Sequence, residues 1–153
     1  MADLHLRFVP DPVLRAVCTP VTVFDAALTA LAEDMLTVMY AAPGRGLAAP
    51  QVGIAKRIFV MDATWKDGTP APQVFVNPEM VKCSDAVAVL TEGCLSIPDQ
   101  TSRISRPAEV TLRWQDLNGA SHTGTFTDFS AACVQHERDH LDGVLCTDYP
   151  EAP

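Results

Sequence analysis

The sequence lacks the features that mark export, membranes and nucleic acid. It contains no run of about 18 apolar residues, the length that a helical membrane span requires. Its N-terminal stretch, MADLHLRFVPDPVLR, carries Asp3, Arg7 and Asp11 where a signal peptide would be apolar. Basic side chains are few, 11 Lys and Arg against 19 Asp and Glu, for a formal charge of −8. A chain of that sign is repelled by phosphate backbones, so no nucleic-acid partner and no membrane are expected. No disulfide framework is visible either. Cys18, Cys83, Cys94, Cys133 and Cys146 form an odd set without paired spacing. With no export signal they read as reduced thiols of a cytoplasmic protein, one or more of them available as a ligand. Repeats, low-complexity tracts and linkers are absent too, so residues 1–153 read as a single domain with a core of its own.

The patterns present predict an α+β domain with a mostly antiparallel sheet. Leu28, Leu31, Met35 and Met39 recur at steps of three and four, which predicts a helix over 25–42 that Asp25 caps and Pro43-Gly44 stops. Beyond it the short apolar runs 57–61 and 74–76 read as strands. Residues 109–114 alternate, and Asn118-Gly119 supplies a hairpin turn into a strand over 123–129. A last helix is expected over 130–141, capped by Asp128 or Ser130. Helices at both ends without a βαβ rhythm favour α+β architecture.

The strongest chemical signal is QHERDH, residues 135–140. On a helix His136 and His140 lie one turn apart on the same face and can grip one metal ion from one side. Glu137 between them is placed to move a proton instead of binding the ion. Two protein ligands hold a metal loosely, so a third is expected, and two cysteines compete for the role. Cys146 completes H-E-x-x-H-x-x-G-x-x-C, a variant of a zinc-protease pattern; Cys94 lies upstream in TEGCLS. Only residues 141–153 follow His140, too little chain for the rest of such a protease. A third segment, GRGLAAPQ at 44–51, combines glycines that let another chain approach with the amide donor of Gln51.

GRGLAAPQ, EGCLS (92–96) and QHERDH, in that order, closely resemble the three signature segments of the peptide deformylase family. VPDPVLR (9–15), Asn77-Pro78 and LDGVL (141–145) extend the likeness over most of the chain. The resemblance implies that Cys94, His136 and His140 bind one divalent metal ion. Ferrous iron is favoured, with Zn²⁺, Ni²⁺ or Co²⁺ as alternatives suited to the same ligands. It further implies that Glu137 is general acid/base toward a metal-bound water, and that Gln51 and the Leu95 N–H hold the formyl oxygen. The expected substrates are N-formylmethionyl peptides or nascent chains, from which formate is released. Gly44, Arg45, Gly46, Glu92 and Gly93 are expected to line the substrate groove, with Phe129, Ala132 and Cys133 around the first side chain. The runner-up readings are a deformylase-like protein with altered specificity, or one that binds modified N-termini without turnover, and then a metallopeptidase using Cys146.

Three positions depart from the family pattern. Arg45 stands where an aliphatic residue near the methionine pocket is usual, and Thr101 stands where bacterial relatives often carry a basic or larger residue near the substrate backbone. The chain ends at YPEAP without a basic C-terminal helix, so ribosome docking is not expected. The other cysteines, Cys18, Cys83 and Cys133, are expected to be buried thiols, Trp65 and Trp114 to serve packing alone, and His5 and His122 to lie at the surface.

Overall fold

The computed structural model describes residues 3–153. Helix α1 (Ala26–Ala41) begins where expected, with the Asp25 carboxylate accepting the Leu28 N–H at 3.1 Å. Its inward stripe is Leu28, Ala32, Met35 and Met39; Leu31 is only partly covered. Strands β1 (Gly46–Ala48), β2 (Ile58–Met61), β3 (Gln73–Cys83), β6 (Glu109–Gln115) and β7 (Ser121–Thr127) form one antiparallel sheet in the order β1-β2-β3-β6-β7. Strands β4 (Val87–Cys94) and β5 (Ile97–Pro107) pair only with each other. Helix α2 (Asp128–Leu141) follows β7 directly.

The sheet separates two cores, and β2 shows why its sequence is an unbroken apolar run. Ile58 and Val60 face α1, while Phe59 and Met61 face α2 with Phe75, Ala131, Val134 and Leu141. A strand covered on both faces has no polar side to alternate with. A third cluster joins Leu14, Cys94, Ile97, Ile104, Leu145 and Cys146, and fastens the β4–β5 hairpin to the chain after α2. Among the described residues, no helix is long and apolar enough to cross a membrane.

Several expectations are corrected. Helix α2 starts at Asp128, not Ser130, and its N-cap is Thr127, which makes no side-chain cap bond; Asp128 itself turns the chain at φ 53. Asp is one of the few residues that tolerate this left-handed conformation, which lets a strand pass into a helix without a loop. Phe129 therefore belongs to the helix and not to the preceding strand. The β4–β5 hairpin was not among the expected strands, although residues 87–90 of β4 are an apolar run; β5 carries no such signature. The inward positions of β5 include Ser102, Ile104 and Arg106, a period of two written largely in polar residues. Cys83 is exposed at the end of β3, whereas Cys18 and Cys133 are buried. Trp65 does more than pack, because its indole N–H donates to Gly44 O at 2.9 Å.

Candidate functional site

Helix α2 is buried along most of its length, so its two histidines point into the protein. Their Nε2 atoms lie 3.1 Å apart, and His140 Nε2 lies 3.5 Å from the Cys94 sulfur at the end of β4. One donor atom each from Cys94, His136 and His140 fall within 4.8 Å of one another. Ligands about 2.0–2.3 Å from a tetrahedral ion sit about 3.3–3.8 Å apart, so this set has the right spread for a metal. Cys146, the other cysteine weighed as a ligand, packs beside Cys94 but does not join the group.

The histidine tautomer supports the same reading. His136 Nδ1 lies 2.9 Å from Glu92 Oε1 and must carry the hydrogen of that contact. In the neutral ring, Nε2 is then a bare lone pair directed at the other two donors, the arrangement that outer carboxylates impose on metal-binding histidines. Glu92 was expected to face substrate. It borders the cleft, but both its oxygens are occupied, Oε2 by Arg106 Nε at 2.6 Å and Oε1 by Arg106 Nη2 at 2.9 Å as well as by His136. Arg106 also donates to Asp139 Oδ2 at 2.9 Å, and Tyr149 donates to the same oxygen at 2.6 Å. No sequence expectation included Arg106, Asp139 or Tyr149. Arg106 sits in a strand without an apolar signature, and nothing local marks it as buried.

Gln51 lies in a 3₁₀ turn (Ala49–Val52) directly after β1. Its carbonyl accepts the Ala48 N–H at 2.9 Å, which orients the amide NH₂ toward Ser96 Oγ at 3.2 Å and the Cys94 sulfur at 3.7 Å. The donor thus faces the cysteine of the candidate metal group. Glu137 leans against β1. A Cβ on Gly46 would stand 2.6 Å from Glu137 Oε2 and 3.0 Å from Cys133 Sγ, so only glycine leaves room for the carboxylate there. Gly93 by contrast faces open space.

Burial dominates the electrostatics. It raises the Glu137 carboxyl to about 7 against the pull of His136. Burial opposes charge on His136 too, but the Glu137 and Glu92 carboxylates outweigh it and hold that imidazole near 9. His140 is held well below the ordinary imidazole value by burial and by the neighbouring His136, and so stays a neutral donor. The hydrogen bond with Cys146, then burial, raise the Cys94 thiol; a coordinated cation would deprotonate it outright. The Glu137 Oε1 and His140 Nδ1 atoms are buried without a partner.

These groups meet at a cleft of about 500 Å³. Gly44, Arg45 and Gly46 line one side, and Phe129, Ala132 and Cys133 rise from α2. Gly93, Leu95, Asp99 and Thr101 border it from the β4–β5 hairpin, and Gln51, Cys94, His136 and Glu137 reach its wall. Three stretches far apart in the sequence therefore share one cavity.

Comparison with known proteins agrees with this geometry. Residues 4–152 match the family model described as polypeptide deformylase. A peptide deformylase of Rhizobium meliloti is 48% identical over 144 residues, covering 94% of this chain and 83% of its own length. One from Afipia carboxidovorans is 47% identical over 149 residues, covering 97% and 87%. Among solved structures, the peptide deformylase of Thermotoga maritima superposes with a TM-score of 0.92 at 38% identity, over 100% of both chains. That of Synechococcus elongatus, in complex with actinonin, gives 0.93 at 39% identity, over 97% of this chain and 80% of its own. Sequence and backbone point the same way: the chain belongs to the polypeptide deformylase family.

Proposed function

We propose that this protein hydrolyses the formamide of N-formylmethionyl peptides, releasing formate and a free amino terminus. The observation that carries the reading is the convergence of Cys94, His136 and His140, with Cys94, His136, Glu137 and Gln51 at the wall of one cleft. A thiolate and two imidazoles fit a divalent ion and leave a coordination position open, and ferrous iron is our choice, with Zn²⁺, Ni²⁺ and Co²⁺ compatible. When bound, the ion supplies Lewis acidity for water and for the formyl carbonyl.

The protein's own groups do the rest. Glu137, with its carboxyl raised to about 7, is suited both to take a proton from water and to return it to the departing nitrogen. Water adds its oxygen to the formyl carbon, the C–N bond breaks with its electron pair going to nitrogen, and the proton held by Glu137 follows it. The Gln51 NH₂ and the Leu95 N–H serve the oxygen on which negative charge develops; losing one such donor costs about 10²–10³ in rate. Strand β1 is an end strand of its sheet, so an extended peptide can lie along it as an added strand, and Gly93 faces open space. The cytoplasm, where formylated chains are made, is the compartment this implies. With a charge of −8 the protein has no expected affinity for nucleic acid.

The test is formate release from formyl-Met-Ala-Ala by protein loaded anaerobically with ferrous iron, beside the Glu137→Gln variant. The variant should keep its metal and lose at least about 10²-fold in kcat. No formate from the loaded wild type would refute the proposal.

A further inference from the structure

The cleft contains a cation that nothing proposed so far uses. Arg45 immediately precedes β1, and its backbone is fixed: its carbonyl accepts the Asp62 N–H at 2.8 Å. Its guanidinium carbon lies over the Phe129 ring, 5.2 Å from the ring centre, within the range of a cation–π contact. Phe129 is 43% exposed, so this platform belongs to the mouth of the cleft, whereas Glu137 and the metal group lie at its wall.

What the platform lacks is an anion. Among the described residues, Arg7, Arg15, Arg57, Arg106 and Arg113 each hold a carboxylate within 4.0 Å, whereas Arg45, Arg103 and Arg138 do not, and of these three only Arg45 lines the cleft. Its Nε is buried without a hydrogen-bond partner. Of the acids close by in the fold, Glu137 is the proton carrier proposed above, and Glu92 and Asp62 are committed elsewhere. Glu92 serves Arg106 and His136, and Asp62 takes the Tyr40 hydroxyl and the backbone N–H groups of Thr64, Trp65 and Ala71. Asp99 borders the opposite side of the cleft and is itself exposed. A partly desolvated guanidinium gains most from a carboxylate that meets it squarely.

We infer that Arg45, held over the Phe129 ring at the cleft mouth, makes the enzyme prefer formyl peptides carrying an acidic side chain at the second or third residue. This rests on the deformylase reading above and deepens it. The first side chain occupies the lining near Ala132 and Cys133, and the following residues pass the rim. A carboxylate there completes the Arg45 fork, whereas a lysine meets a like charge and loses solvation.

The experiment compares kcat/KM for formyl-Met-Ala-Ala, formyl-Met-Glu-Ala and formyl-Met-Ala-Glu with the two lysine counterparts. Wild type, Arg45→Gln and Arg45→Glu are assayed at low and raised salt. At one of the two positions, glutamate should exceed lysine by about threefold to tenfold in wild type, as for a half-exposed charge pair. The ratio should shrink with salt, approach one in Arg45→Gln and invert in Arg45→Glu. Ratios, unlike rates, are insensitive to a variant that is only partly folded. Equal glutamate-to-lysine ratios in wild type and Arg45→Glu, with normal turnover of formyl-Met-Ala-Ala by wild type, overturn the inference and leave the deformylase reading standing. If wild type turns over no formyl peptide, both fall.

Discussion

Glu92→Gln perturbs folding and metal binding through a single carboxylate, which contacts both Arg106 and His136. Glu92 and Arg106 are 8% and 5% exposed, so the pair is desolvated. The glutamine carbonyl can keep the roles of Oε1, accepting from Arg106 Nη2 and His136 Nδ1, both at 2.9 Å. The amide NH₂ then replaces Oε2, 2.6 Å from Arg106 Nε, and sets donor against donor. One charge-assisted bond is lost, worth about 1.5–3 kcal/mol, and Arg106 keeps only Asp139 as an anionic partner. Glu92→Ala removes all three contacts and should approach the roughly 3–5 kcal/mol typical of breaking a buried pair from one side. For the metal, a weakened outer partner on His136 costs about 10- to 100-fold in affinity. Urea unfolding followed by tryptophan fluorescence measures the first effect, and chelator competition for Zn²⁺ measures the second. Arg106→Met provides a check, because it breaks the ion pair while leaving the carboxylate on His136. It should therefore lower stability more than metal affinity. A Glu92→Ala protein with wild-type metal affinity would refute the claim that this side chain orients His136.

Three further outcomes are expected. Cys94→Ser should lose most bound metal while Cys146→Ser keeps nearly all of it, read by metal content after desalting; the reverse would move the third ligand to Cys146. Gly46→Ala should fold and keep its metal but lose about tenfold to a hundredfold in kcat, because a Cβ there stands 2.6 Å from Glu137 Oε2; an unchanged kcat would show that the carboxylate has another place to act from. Asp62→Asn should cost about 1.5–3 kcal/mol at neutral pH. Burial works to raise that carboxyl, but the Tyr40 hydroxyl and the amides of Ala71, Thr64 and Trp65 hold it below its ordinary value of 3.8. A lowered carboxyl stabilises above the unfolded value and stops doing so as pH falls through the folded one, so the variant should lose part of the acid-side fall in stability seen in wild type; parallel pH profiles would remove Asp62 from that role.

The parts legible in the sequence were those whose physics is local. The α1 stripe, the Asp25 cap, the Asn118-Gly119 turn and the spacing of His136 and His140 each depend on residues within a turn or two of one another. Helical periodicity alone puts two imidazoles on one face, and short segments such as GRGLAAPQ and EGCLS keep their identity whatever surrounds them. Tertiary structure decided the rest. Strand β5 carries its inward pattern in Ser102 and Arg106, so hydrophobicity could not reveal it. Spacing left Cys94 and Cys146 both open as ligands, and it is the Cys94 sulfur that the β4–β5 hairpin brings to the histidine face of α2. Glu92 could not be told from a groove residue until Arg106 arrived 14 positions later in sequence to share its charge. The missing counter-charge of Arg45 was likewise invisible, because whether a cation is paired depends on every acid that folding carries past it.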